Sequence, residues 1–235
     1  MGRAALSFTV PAVPDQDYNR GLATPGNLAM GFYDTHILPR FINCACGAKP
    51  IMKQREKVVP LATGTVLEIG IGTGLNLPLY DARRVERVIG LDPSEASWKL
   101  AGARAAHLDF EVEFIGLSGE EIPLDDASVD TVLVTFALCT IPDPVIALQG
   151  MARVLRPGGS LIFCEHGKAP DSNVRKWQDR INPWWRRMAG GCNLNRDIPQ
   201  LLGAGGFAVS ELQTGYLPST PRFAGYNYWG SAVRA

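Results

Sequence analysis

VLEIGIGTGLNLPLY, Val66 to Tyr80, carries an apolar run straight into a turn with glycine at alternate positions, Gly70, Gly72 and Gly74. Glycine tolerates left-handed backbone and lets a ligand approach the main chain, so the stretch reads as a strand ending in a binding turn. Outward from it, short apolar segments alternate with helical ones. TVLEIG, RVIGLD, VEFIGL, VDTVLVTFAL and GSLIFCEH are the candidate strands. Helices are expected over Asn76 to Ala82, Ser94 to Ala106 and Pro144 to Val154, the last stopped by Arg156-Pro157-Gly158-Gly159. That rhythm predicts a doubly wound α/β fold on a mostly parallel sheet. A further helix over Ile198 to Leu202 and two strand-like segments, Phe207 to Tyr216 and Tyr226 to Val233, close the chain.

Upstream, residues 1 to 27 read as an extended lead-in, and residues 28 to 60 as helices broken by Pro39 and Pro50. A single domain over 28–235 is expected. The 235 residues are 46% hydrophobic, enough for one buried core, and 23 basic residues balance 23 acidic ones. Without basic blocks, the chain has none of the attraction that nucleic-acid binders carry, and a small-molecule partner is expected. No apolar run of about 18 residues predicts a membrane span, and the opening residues make a poor signal peptide. Five cysteines, Cys44, Cys46, Cys139, Cys164 and Cys192, lack C-x-x-C spacing, so reduced thiols, a cytoplasmic location and no metal are expected. Oligomeric state is not readable from the sequence.

Asp92 ends the second strand in VIGLD, about 20 residues beyond the glycine turn, where Rossmann-type sites place an acid on ribose hydroxyls. The dinucleotide fingerprint nevertheless fails. Counting G-x-G-x-x-G from Gly70 puts Leu75 in the third glycine position, and counting from Gly72 puts Leu77 there. A phosphate-binding G-x-x-x-x-G-K-[ST] loop is also missing, so a nucleoside without phosphates is the remaining ligand.

These residues, with LSGEEIPLDDASVDTVLV and VLRPGG, resemble the class I S-adenosylmethionine-dependent methyltransferases over Val66 to Glu165. The resemblance implies a Rossmann-like, seven-stranded, mostly parallel sheet with an antiparallel C-terminal strand. It implies S-adenosyl-L-methionine as methyl donor and S-adenosyl-L-homocysteine as product. Gly70, Gly72 and Gly74 would line the methionine part, Asp92 the ribose, and Ser118, Gly119 and Glu120 the adenine, with Glu68, Asn76 and Pro93 also in the cofactor site. Thr135 and Leu138 would face the methyl group.

YDTHILP, REKVVPLATGTVLEIGIGTGLNLPLYD, FALCTIPDP, CEHG and NPWWRRMAGGCNLNRD extend the likeness to the alkyl thiol S-methyltransferases of the methyltransferase-like family and their bacterial relatives. Eukaryotic members begin with a hydrophobic membrane anchor; none is expected here, so their localisation is not carried over. By this resemblance the acceptor is a small thiol, methanethiol or hydrogen sulfide. A quinone-like carbon or a lipid amine is the alternative acceptor, and a non-catalytic cofactor-binding module a second alternative.

The acceptor pocket is expected under a helix bearing Tyr33 and His36 and a lid insertion at 168–200. His166 follows the fifth strand and is read either as the base that takes the thiol proton or as a loop-bonding imidazole. Cys139 and Cys192 are read as pocket or packing residues, because direct transfer needs no covalent enzyme intermediate. Trp177 and Trp184 either wall the pocket or anchor helices, and Arg196 orients the lid.

Overall fold

A computed structural model describes residues 46–235, so Tyr33, His36, Cys44 and the readings of residues 1 to 45 lie outside the described residues. Within them the order is α1 (Lys49–Val58), β1 (Gly64–Ile69), β2 (Val85–Leu91), α2 (Glu95–Ala105), β3 (Glu111–Ile115), β4 (Val129–Thr135) and α3 (Pro144–Val154). β5 (Leu155–His166), α4 (Ser172–Met188), α5 (Ile198–Ala204), β6 (Phe207–Tyr216), a short α6 (Arg222–Gly225) and β7 (Tyr226–Arg234) follow.

The strands form one seven-stranded sheet in the order β3-β2-β1-β4-β5-β7-β6. The pairs from β3 through β5 are parallel, whereas β7 runs antiparallel to both β5 and β6. Central strands are apolar almost throughout because both faces are covered: Leu67, Ile69, Val132, Val134 and Phe163 pack into one core, and Val66, Val88, Leu133 and Ile162 into the other. β6, at the sheet edge, is largely exposed. After β1 the chain builds outward through β2 and β3, then returns to lay β4 on the other side of β1. That reversal opens a crevice at the carboxyl ends of β1 and β4, the usual ligand position in such sheets.

α2 and α3 form close to where the sequence places them. Ser94 caps α2 by accepting from Ser97 N, and Asp143 caps α3 by accepting from Val145 N and Ile146 N. The helix expected over Asn76 to Ala82 shrinks to one 3-10 turn, Leu77–Leu79, with Tyr80 already extended. Pro78 suits only a first turn, and the Asn76 side chain is drawn into a buried network instead of capping a longer helix. The fourth strand stops at Thr135, short of the expected Leu138, because Phe136 turns the chain at φ 54°. The Arg156–Gly159 segment does stop α3, but it stays in β5 as a bulge: the pairing of Val129 with Leu155 jumps to Thr131 with Ser160. Among the described residues, no helix is long and apolar enough to cross a membrane.

Candidate active site

Three strand ends define the crevice. Past β1 the chain turns through Gly70, Gly72 and Gly74, at φ 70°, 51° and 73°. A β-carbon on Gly70 would stand 2.5 Å from that of Ala137, so the close contact of this turn with the loop after β4 requires glycine. At Gly72 the nearest atoms would be 3.9 Å away, an ordinary contact, so only its φ of 51° favours glycine there. Past β2, Asp92 holds both turns together: its Oδ2 accepts from Gly72 N at 3.0 Å and its Oδ1 from Ser94 N at 2.8 Å. Past β4, the loop Phe136–Pro142 forms the far wall. Buried Glu165, at the end of β5, fixes this loop by accepting from Ala137 N at 2.8 Å and Leu138 N at 3.0 Å.

The enclosed volume is about 380 Å³, within the range of small-molecule and cofactor sites. Of the cofactor residues expected from sequence, Gly70, Gly72, Asp92, Pro93, Ser118, Gly119, Glu120 and Thr135 line it. Ser118 donates to Glu120, which also accepts from Asp143 N at 3.0 Å, so the loops after β3 and β4 are joined at one end of the crevice.

Glu68, Gly74, Asn76 and Leu138 stand behind the wall rather than on it. Gly74 is held against Leu77 and Ala101, where a β-carbon would come within 2.8 Å of the Leu77 side chain. Glu68 is 1% exposed and turned inward, accepting from Tyr80 Oη at 2.6 Å and Asn76 Nδ2 at 2.9 Å. Asn76 Nδ2 also donates to Thr135 Oγ1 at 2.9 Å, which links the first strand end to the fourth.

Burial raises the Glu68 carboxyl to about 7, against the opposing pull of its hydrogen bonds with Tyr80 and Asn76 and of Arg55. An acid whose folded pKa exceeds its unfolded value adds most stability below the unfolded value, and that contribution is lost as pH rises through the folded one. Wild-type protein is therefore expected to lose on the order of 1–3 kcal/mol between about pH 4.5 and 7 from this group. Denaturant unfolding of wild type and Glu68→Gln across that range checks it, and parallel stability curves would contradict it.

Sequence reasoning missed Arg55. This side chain from α1 is 6% exposed, yet it lines the crevice and is the one basic residue among its described lining. Its Nη1 donates to Asn76 Oδ1 at 2.9 Å and Thr135 Oγ1 at 2.5 Å, its guanidinium lies over Phe136, and its buried Nε has no partner. In sequence it is indistinguishable from its neighbours Lys53 and Lys57. Glu165 was also missed as a positioning residue, although a carboxylate inside an apolar strand was a visible signal.

Cys139, His166, Cys192 and Arg196 gather beside the crevice, behind the Phe136–Pro142 loop. His166 Nε2 lies 3.2 Å from Cys192 Sγ, Trp185 Nε1 donates to the same sulfur at 3.4 Å, and Arg196 donates to the Leu138 carbonyl. The imidazole thus meets a thiol and not a loop carbonyl. Asn193 ties the post-α4 segment to this loop, its backbone N and its Nδ2 both donating to the Cys139 carbonyl, at 2.8 and 2.9 Å. Trp177 and Trp184 do not wall the pocket. They are 61% and 68% exposed, one helical stripe apart on the outer face of α4, because Gln178 and Trp185 occupy its inner side.

A family model described as a methyltransferase domain matches residues 67–163. Human thiol S-methyltransferase TMT1A is 34% identical over 185 residues, 77% of this chain and 75% of that protein. Human thiol S-methyltransferase TMT1B is 36% identical over 180 residues, 74% of this chain and 72% of that protein. The chain belongs to the S-adenosylmethionine-dependent methyltransferase family. Among solved structures, a methyltransferase of this class from Methanosarcina mazei has the same fold, with TM-score 0.59 and 19% identity over 72% of this chain and 92% of that one. A demethylmenaquinone methyltransferase from Clavibacter sepedonicus and a phosphatidylethanolamine N-methyltransferase from Cereibacter sphaeroides are 33% and 35% identical over 52% and 48% of this methyltransferase. S-adenosylmethionine is its methyl donor, and the crevice fits that molecule: a glycine turn in its lining, an acid at the β2 end and a cation with a free buried donor.

Proposed function

We propose that this methyltransferase transfers the methyl group of S-adenosylmethionine to a small thiol or to hydrogen sulfide. The reading is carried by the similarity to two thiol S-methyltransferases over about three-quarters of the chain, beyond the core shared with quinone and lipid enzymes. In this reading the segment at 168–200, tied to the loop after β4 through Asn193, covers the acceptor side.

In this reading Asp92 accepts the ribose hydroxyls and Pro93 packs beside the sugar. Ser118, Gly119 and Glu120 border the adenine, and Gly70 and Gly72 let the methionyl chain lie against the β1 turn. Arg55 takes the methionine carboxylate, whose charge matches the guanidinium and whose oxygens would satisfy the lone Nε. Thr135 and the loop from Phe136 would form the wall beside the donor's sulfonium when it is bound. The acceptor sulfur, as thiolate, attacks the methyl carbon in line; the new carbon–sulfur bond forms as the bond to the donor sulfur breaks, whose electrons leave S-adenosylhomocysteine neutral at sulfur. Holding the reacting atoms about 3–3.5 Å apart supplies much of the acceleration. Glu165 acts as a positioning residue by fixing Ala137 and Leu138.

The test is incubation of purified protein with methyl-labelled donor and a panel of methanethiol, hydrogen sulfide, a demethylated quinol and phosphatidylethanolamine vesicles. Turnover highest on the sulfur acceptors is expected. Label passing mainly to quinol or lipid amine would replace the thiol reading, and donor binding without turnover on any acceptor would make the protein a cofactor-binding module.

A further inference from the structure

Three donors of metal-ligand type, drawn from three separate segments, meet beside the crevice. Cys139 lies in the loop after β4, His166 ends β5 and Cys192 follows α4, and their ligand atoms all stand within 4.8 Å of one another. Among the described residues this is the group of three or more such side chains placed to share one ion. We propose that Cys139, His166 and Cys192 form a three-ligand zinc site whose fourth position takes the acceptor thiolate.

The donor set selects the ion. Two sulfurs and an imidazole suit zinc, at bond lengths near 2.3 Å to sulfur and 2.0–2.1 Å to nitrogen, whereas magnesium and calcium require oxygen. An ion within the present triangle needs only a small adjustment of the three side chains, with the 3.2 Å His166–Cys192 pair opening slightly. Three protein ligands with one open position is the arrangement of catalytic zinc; closed structural sites use four.

The scaffold holds the donors near this geometry without help. The Cys139 carbonyl is gripped twice by Asn193, the residue after Cys192, so the two cysteine-bearing loops cannot separate independently. His166 is held by the pairing of β5 with β7, where it lies opposite Asn227. Next to it, the fully buried Glu165 keeps one oxygen, Oε2, without a partner, which adds acceptor character beside the site. The three donors do not line the donor crevice themselves but stand one loop behind its wall, across which the acceptor must reach the methyl group. Cys139 is 3% exposed, but Phe136, Ala137, Thr140 and Ile141 around it line the donor crevice, and Cys192 and His166 are only partly buried.

The chemistry extends the thiol reading and rests on it for the identity of the fourth ligand. A thiol entering the open position releases its proton to solvent, leaving sulfur as a metal-bound thiolate at neutral pH. That sulfur would donate an electron pair to the methyl carbon as the donor's own sulfur–methyl bond breaks and releases S-adenosylhomocysteine, and the thioether formed, neutral and a weaker ligand, would depart. His166 then serves as a ligand, which explains why its Nε2 points at a cysteine and not into the crevice. The proposal departs from the expectation of no metal; the donors are 26 to 27 residues apart along the chain and match no spacing rule.

Metal-stripped protein in reducing buffer is titrated with cobalt(II) as a spectroscopic probe, then with zinc in competition. One ion per chain is expected, with intense thiolate-to-cobalt charge transfer, and binding about 100-fold weaker or worse in Cys139→Ser and in Cys192→Ser. Unchanged binding of S-adenosylhomocysteine by the variants shows that they are folded. Methanethiol is expected to alter the cobalt spectrum. Absence of stoichiometric binding, or wild-type affinity in Cys192→Ser, overturns the site; a spectrum indifferent to methanethiol, or equal thiol methylation with and without metal, overturns the assignment of the fourth position. A loaded site in a protein that methylates only quinol or lipid leaves the zinc site standing and removes the thiol reading.

Discussion

Replacing Asp92 with alanine is expected to weaken binding of S-adenosylmethionine and S-adenosylhomocysteine by about 100-fold or more. The carboxylate has two oxygens and about four acceptor positions, of which Gly72 N and Ser94 N use two. Two remain for the vicinal hydroxyls of a ribose. A hydrogen bond to a charged group contributes about 1.5–3 kcal/mol, so losing a pair predicts a change in this range even after partial compensation by water. The variant also frees Gly72 N, which loosens the turn that the methionyl chain must cross. Asp92→Asn separates these effects poorly by shape but well by charge, since its amide must present a donor to one of the two backbone N–H groups or to a hydroxyl. Equilibrium dialysis with labelled donor measures the change. An affinity for the alanine variant within about threefold of wild type would remove Asp92 from the ribose.

Arg55→Ala carries the second large effect, and a ligand pair makes it specific. Loss of a charge-assisted contact to the methionine carboxylate is expected to cost about 10- to 100-fold in affinity for S-adenosylhomocysteine. Affinity for methylthioadenosine, which keeps the nucleoside and thioether but lacks the amino-acid end, should change little. An equal loss for both ligands would mean that Arg55 acts only by bracing Asn76 and Thr135. Arg55→Lys should recover part of the affinity, because lysine restores charge but not the fork that spans Asn76, Thr135 and a carboxylate at once.

These two residues differ in how far they could be read in advance. Asp92 ends a buried strand at a fixed distance from a glycine turn, and local sequence contains all of that. The strands themselves were legible for the same reason: central parallel strands such as β1 and β4 are apolar on both faces and bounded by breakers. Arg55 becomes a crevice residue only when α1 packs against β5 and β7 and its side chain reaches Asn76 and Thr135, a tertiary fact hidden inside a basic helix. Glu68 and Asn76 misled in the opposite direction. Their place in the motif suggested ligand contact, but both side chains turn inward and hold the turn from behind. Trp177 and Trp184 were misplaced because an aromatic-rich helix does not state which face it buries; Gln178, bonding the carbonyls of Gly167, Leu194 and Phe223, fixes that face. The approach of Cys139, His166 and Cys192 depends on the return of the chain after α4 and on β5 ending beside the loop from β4.

The most direct test of the donor site is a crystal structure with S-adenosylhomocysteine. Ribose hydroxyls on Asp92, the homocysteine carboxylate on Arg55 and the sulfur facing the loop from Phe136 are the expected result. Ligand bound elsewhere, or its sugar outside hydrogen-bond reach of Asp92, would contradict the account.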